Sequence, residues 1–151
     1  MTADNAVQQM ARNGLDATFW AGLAEGELRL PICAACDRWI WPAQPRCADC
    51  GSTPVDSRAV EPHGIIYSWT RTHYPFVDVR TDDLPYVVLL VELPHAGWVR
   101  VLGQYGGDPS DDLEIGRRVQ GSVAAPSSQT FGLPAIVWHL EPAPLETAAG
   151  T

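Results

Sequence analysis

Four cysteines, Cys33, Cys36, Cys47 and Cys50, form two Cys-x2-Cys pairs, and the chain has no others. Each pair presents two sulfurs from one tight turn, and four sulfurs together suit the tetrahedral corners that zinc prefers. Residues 37–46 between the pairs are enough for a small hairpin that returns the second pair to the first. Gly51 follows the second pair, where such a turn calls for a positive φ. Asp37 holds the equivalent place after the first, and Asp tolerates that conformation better than most residues. The spacing predicts a zinc ribbon over about Leu30 to Ser52, with all four cysteines as metal ligands. A mononuclear iron site of rubredoxin type has the same ligands, and spacing does not choose between the metals. Disulfides are disfavoured in a reducing compartment, and a redox pair has no need of a second copy so close. A closed four-thiolate site leaves no open coordination position, so its expected role is structural.

A ribbon this small cannot bury enough apolar surface to fold without its metal. The rest of the 151 residues must therefore supply a core of their own. The formal charge is −8, and all ten basic residues are arginine. An acidic chain lacks the general attraction that drives non-specific nucleic-acid binding, although a local arginine patch could still hold an anion. The first thirty residues contain no apolar run of signal-peptide length, and no segment is long enough to span a bilayer. A cytoplasmic location is the resulting expectation.

Residues 1–15 read as loosely ordered. Asp16 is placed to cap a helix from Ala17 to Glu25, with Gly26 as its stop. Phe19, Trp20 and Leu23 form one apolar stripe on it, either covering the protein's own core or docking on a partner. Pro54 to Pro62 reads as a connector. Beyond it, Ile65 to Tyr74, Tyr86 to Leu93 and Gly97 to Tyr105 read as strands, rich in β-branched and aromatic residues. Pro94 to Gly97 makes a short hairpin connection. Two more strands fit near Arg118 to Ala124 and Pro134 to Leu140, after a loop at Gly106 to Asp112 with room for one helical turn. Five short strands are compatible with an OB-fold barrel, another small barrel or a sandwich. The tail after Glu141 is rich in proline and alanine and is expected to fray.

No thiol remains for nucleophilic chemistry once the ribbon is built. The chain has no Gly-x-Ser-x-Gly elbow, no phosphate-cradling glycine loop and no His-Glu-x-x-His helix. His63, His73, His95 and His139 are scattered without ligand spacing. One constellation points to binding. Period two along the first long strand puts Ile65, Tyr67, Trp69, Arg71 and His73 on one face, running from apolar to aromatic to cationic. Such a stripe suits a nucleotide, including that of coenzyme A, with Arg100, Arg117 and Arg118 as further anion ligands. The competing reading makes Tyr67 and Trp69 core or interface aromatics and pairs the arginines with carboxylates.

The order of these features is distinctive. A helix containing Phe19 leads into Gly26-Glu27-Leu28-Arg29-Leu30-Pro31 and the ribbon. Gly64-Ile65-Ile66-Tyr67-Ser68-Trp69-Thr70 and Pro85-Tyr86-Val87-Val88-Leu89-Leu90-Val91-Glu92-Leu93 follow, and Ile115-Gly116-Arg117-Arg118-Val119 closes the pattern. The sequence resembles the zinc-ribbon/OB-fold family of acyl-CoA-associated accessory proteins, long known as a domain of unknown function. The likeness runs over about residues 16–141. It departs at Asp37, where glycine is usual, and in the long stretch from Phe76 to Leu84. The resemblance implies a mainly β fold: a helical arm over 1–29, a rubredoxin-like ribbon over 30–53, a five-stranded OB-fold domain over 54–142 and a tail over 143–151. It also implies a non-catalytic subunit of a thiolase-like enzyme, either a condensing enzyme, an acyltransferase or a retro-aldolase of the steroid side-chain type. A MaoC-like enoyl-CoA hydratase is the alternative partner. The implied cofactors are a structural Zn2+ and, through the partner, CoA or acyl-CoA. Phe19, Trp20, Leu23, Tyr67 and Trp69 become candidate interface residues. Arg71, His73, Arg100, Arg117 and Arg118 become candidate CoA contacts. An OB-fold binder of single-stranded nucleic acid is a further reading from another class.

Overall fold

The computed structural model describes residues 3–53, 55–76 and 84–142. It opens with two helices, α1 (Ala3–Asn13) and α2 (Ala17–Ala24). The loose order expected of residues 1–15 is thus corrected by α1. Its run of Ala, Gln, Met and Arg favours a helix and holds no Gly or Pro before Gly14, and Ala3, Ala6, Val7, Met10 and Ala11 recur at helical spacing. α2 stops as expected, with Gly26 at φ +83°. Glu27 N–H donates to the Gly22 carbonyl at 2.8 Å and Gly26 N–H to that of Leu23 at 3.1 Å, closing a Schellman motif. Its start differs from expectation: the Asp16 side chain makes no cap hydrogen bond and instead accepts the Trp20 indole N–H at 2.9 Å. Residues four apart lie on one helix face, so Trp20 reaches the carboxylate one turn away.

α2 packs against β1 (Arg29–Cys33), which pairs antiparallel with β2 (Val55–Ala59). The segment read as a connector therefore contains a strand. Val-Asp-Ser-Arg-Ala carries little strand preference of its own, and the β1 ladder supplies what local sequence does not.

Five strands then close a barrel: β3 (His63–Thr72), β4 (Tyr86–Leu93), β5 (Val99–Tyr105), β6 (Arg118–Ala124) and β7 (Ala135–Leu140). Their order around it is β3-β4-β5-β7-β6, with β5 and β7 parallel, and β3 pairs with both β4 and β6. This is the five-stranded OB-fold expected from the sequence. β4 alternates cleanly, sending Val87, Leu89, Val91 and Leu93 inward. The Trp138 indole fills the centre, and it fits because two facing strand positions are glycines. A Cβ at Gly103 would stand 2.5 Å from its Nε1, and one at Gly121 would stand 2.7 Å from its ring. The helical turn expected between β5 and β6 is absent. A short 3-10 turn lies instead at Ser128–Thr130, between β6 and β7.

The β5–β6 loop is fastened from below. Arg71 donates through Nε to the Pro109 carbonyl at 2.5 Å and through a terminal nitrogen to that of Asp111 at 2.8 Å. Tyr105 donates its hydroxyl to the Asp111 carboxylate at 2.5 Å. Burial, with that bond to an anion, pushes the Tyr105 phenol up to about 12. The tail expected to fray and most of the stretch between Phe76 and Leu84 lie outside the described residues.

Candidate metal centre and the surfaces around the barrel

The two cysteine turns are built alike. Cys33 N–H donates to the Arg38 carbonyl at 2.8 Å, and Asp37 N–H to that of Cys33 at 2.9 Å. In the second turn Cys47 N–H donates to the Ser52 carbonyl at 2.9 Å, and Gly51 N–H to that of Cys47 at 3.0 Å. Asp37 and Gly51 take φ +56° and +71°, the left-handed positions expected of them. An antiparallel bridge between Ile32 and Trp39 folds the intervening chain back.

All four ligand sulfurs lie within 4.8 Å of one another. Cys33 and Cys50 are 3.6 Å apart, as are Cys36 and Cys47. Backbone N–H groups aim into this cluster and sort the thiols. The amides of Cys50 and Asp49 draw Cys47 down to about 7, and those of Ala35 and Cys36 lower Cys33. The Arg38 amide pulls on Cys36, but contact with the Cys50 and Cys47 sulfurs outweighs it and pushes Cys36 up to about 12. Cys50 is raised as well, because Cys33, burial and Cys47 together outweigh the Ser52 amide and Cys36. Among four crowded sulfurs, two are thus helped towards the thiolate and two are held back from it. A dication would let all four ionise, so the donor set and its amide cradle fit a zinc-type centre. Cys33 and Cys47 are buried, Cys36 and Cys50 exposed. Among the described residues no second cluster of this kind occurs.

The expected aromatic and cationic stripe does not share one face. Ile66 pairs with Val91 and Ser68 with Leu90, which leaves Tyr67 as a bulge. One inserted residue reverses the inward and outward order beyond it. Trp69 and Arg71 therefore stand opposite buried Leu89 and Val87, while Tyr67 stays outside, 41 % exposed. Trp69 packs against the core with the Arg71 guanidinium 5.2 Å from its ring centre. Outside, the Arg100 guanidinium lies 3.5 Å from the Tyr67 ring centre and pairs with Glu92 at 3.0 Å. His73 is exposed just past β3, and Arg117 and Arg118 mark the start of β6. The helical stripe divides too. Phe19 and Leu23 belong to the chain's own core, whereas Trp20 is half-buried and meets the Phe19 ring edge-on at 5.1 Å.

Sequence reading passed over His63 and His95, whose rings stack at 4.2 Å. The signal available was register: His63 opens β3, and His95 lies in the turn that ends its partner β4. Among the described residues no helix is long and apolar enough to cross a membrane.

Residues 20–56 match the family described as "ChsH2, rubredoxin-like zinc ribbon domain", and residues 57–124 match "ChsH2, C-terminal OB-fold domain". A chain of the solved "Ltp2-ChsH2(DUF35) aldolase" superposes with a TM-score of 0.73 at 28% identity, covering 85% of this chain and 95% of that one. A Sulfolobus solfataricus protein of unknown function from the DUF35 family shares the fold, at 15% identity and a TM-score of 0.56 over 91% of this chain and 96% of its own. A Thermomonospora curvata protein named "Probable enoyl-CoA hydratase alpha subunit" is 36% identical over 106 residues, 69% of this chain. This chain spans only 32% of the length of that curated relative. A rubredoxin-like ribbon running directly into an OB-fold barrel, matched in both halves, makes this chain a member of the ChsH2 (DUF35) family.

Proposed function

We propose that this chain is a non-catalytic accessory subunit of a thiolase-like enzyme acting on acyl-CoA, and that its ribbon holds a structural zinc ion. The observation that carries the reading is the likeness, along nearly the whole of its length, to a chain of the Ltp2-ChsH2(DUF35) aldolase. The chemistry agrees. All four thiols face one another, and a closed four-sulfur centre offers substrate no open position. The partner's reaction is a retro-aldol cleavage, a condensation or an acyl transfer on a CoA thioester. This subunit stabilises the catalytic dimer and borders its CoA channel. For direct contact with CoA, Arg117 and Arg118 are freer than Arg71, whose donors are spent on the β5–β6 loop, and than Arg100, which pairs with Glu92. For contact with the partner, Tyr67 is available, while Phe19, Leu23 and Trp69 are engaged in the core.

Co-expression with a thiolase-like enzyme of the same source, followed by size-exclusion chromatography, tests the reading. A stoichiometric complex is expected, with the enzyme more soluble or more active inside it. A thiolase that is equally soluble and active alone, with no complex, overturns the reading for that pair. A second reading, favoured by the named hydratase relative, pairs the chain with a MaoC-like enoyl-CoA hydratase. The same experiment with that enzyme separates the two.

A further inference from the structure

At one end of the barrel β3 and β6 begin while β4 and β7 finish. There His63 from β3 and His95 from the β4–β5 turn stack at 4.2 Å with their planes 12° apart. The Glu61 carbonyl accepts from His95 Nε2 at 2.9 Å, so that nitrogen carries hydrogen and Nδ1 is the one left to take a proton. Arg118 stands opposite Ile65 across the β3–β6 ladder, two residues from His63 along the strand. These side chains and Glu141 border a cavity of about 240 Å³. Among the described residues Arg118 makes no ion pair, and Glu141 meets it only through the backbone, its N–H donating to the Arg118 carbonyl at 3.0 Å.

The charges around this cavity define a condition. With both imidazoles neutral, Arg118 and Glu141 sum to zero. Of the other charges nearby, Glu92 across from Ile65 is held by Arg100 at 3.0 Å, and Glu61, whose backbone carbonyl meets His95, does not border the cavity. His139, opposite Gln120 on β7, reaches Ser122 instead at 3.5 Å. Imidazole is the side chain that ordinarily changes charge between pH 5 and 8. One imidazolium can rest against the π face of its neighbour, whereas two stacked imidazolium rings repel. A bound anion therefore favours one proton shared by the pair, which gives the groups bordering the cavity a net positive charge.

We propose that His63, His95 and Arg118 form a binding site for a small oxyanion, a sulfate, phosphate or carboxylate group, that loads with uptake of one proton while Glu141 competes for Arg118 at neutral pH. All of these side chains come from this chain. Linkage requires the converse: an anion bound there must make one of the two histidines hold its proton to higher pH.

The test follows the histidine ring signals by NMR from pH 5 to 8 in sodium chloride, sodium sulfate and sodium acetate at equal ionic strength. His63 or His95 should titrate at higher pH in sulfate than in chloride, with His73 and His139 unmoved. Acetate shows whether a carboxylate suffices. Arg118→Gln should erase the difference, and Glu141→Gln should let sulfate bind about tenfold more tightly at pH 7.5, the effect of removing one nearby like charge. His63→Gln serves as a second removal should Arg118→Gln fold poorly. If all four histidines move together, or if both removals leave the sulfate effect intact, the site does not exist.

Discussion

The ribbon and the barrel solve the same problem by different means. The ribbon's own apolar cluster consists of Cys33, Ile40 and Cys47, two of which are metal ligands. Among the described residues the barrel core gathers eighteen buried ones, from Phe19 on α2 to Trp138 on β7. In the barrel, order comes from apolar area removed from water. In the ribbon it comes from four sulfurs, a set of amide dipoles and the short β1–β2 ladder at its base. The contrast shows why one chain combines them: a segment too small for a core can be held rigid if a metal supplies what burial does not.

Removing the metal should have the largest effect. A chelator should release about one zinc per chain and collapse the ribbon, shifting the emission of Trp39 and Trp41. The cooperative melting of the barrel should persist. Should the barrel melt with the ribbon, the two regions do not stand apart. Trp138→Ala should act the other way, costing about 3–5 kcal/mol of stability by leaving a cavity the size of an indole. Urea denaturation would read that loss. A loss well under 1 kcal/mol would mean that Gly103 and Gly121 allow the barrel to close around the gap. The smallest expected effect sharpens the comparison within the ribbon. Asp37→Gly relieves a positive φ but surrenders the Arg58–Asp37 pair at 2.7 Å. Both side chains of that pair are more than half exposed, so it contributes little. A net gain of about 0.5 kcal/mol, read as slower metal loss to a chelator, is the expected balance. Faster loss would show that the tie to β2 matters more than the strain.

The two regions were also legible to different degrees. Cysteine spacing located the ribbon, and even the left-handed positions of Asp37 and Gly51, because ligand geometry is local and unforgiving. Alternation located the barrel strands within about two residues, the usual uncertainty at strand ends. What stayed hidden depended on contacts between distant segments. β2 exists because β1 lies beside it, not because Val-Asp-Ser-Arg-Ala prefers extension. The face of Trp69 and Arg71 was misread because a bulge leaves no mark in a strict period of two. The stack of His63 on His95 joins residues from opposite ends of a hairpin, and only pairing register brings them together. In each case the missing information was which strand lies next to which.

The β1–β2 ladder has one more consequence. Because Cys33 lies opposite Val55 and Arg29 opposite Ala59, the chain enters and leaves the metal-binding segment through adjacent, antiparallel strands. That segment is thus a cassette clipped into a hairpin. The ladder fixes both ends of that segment, while Trp39 and Trp41 within it pack against the main core.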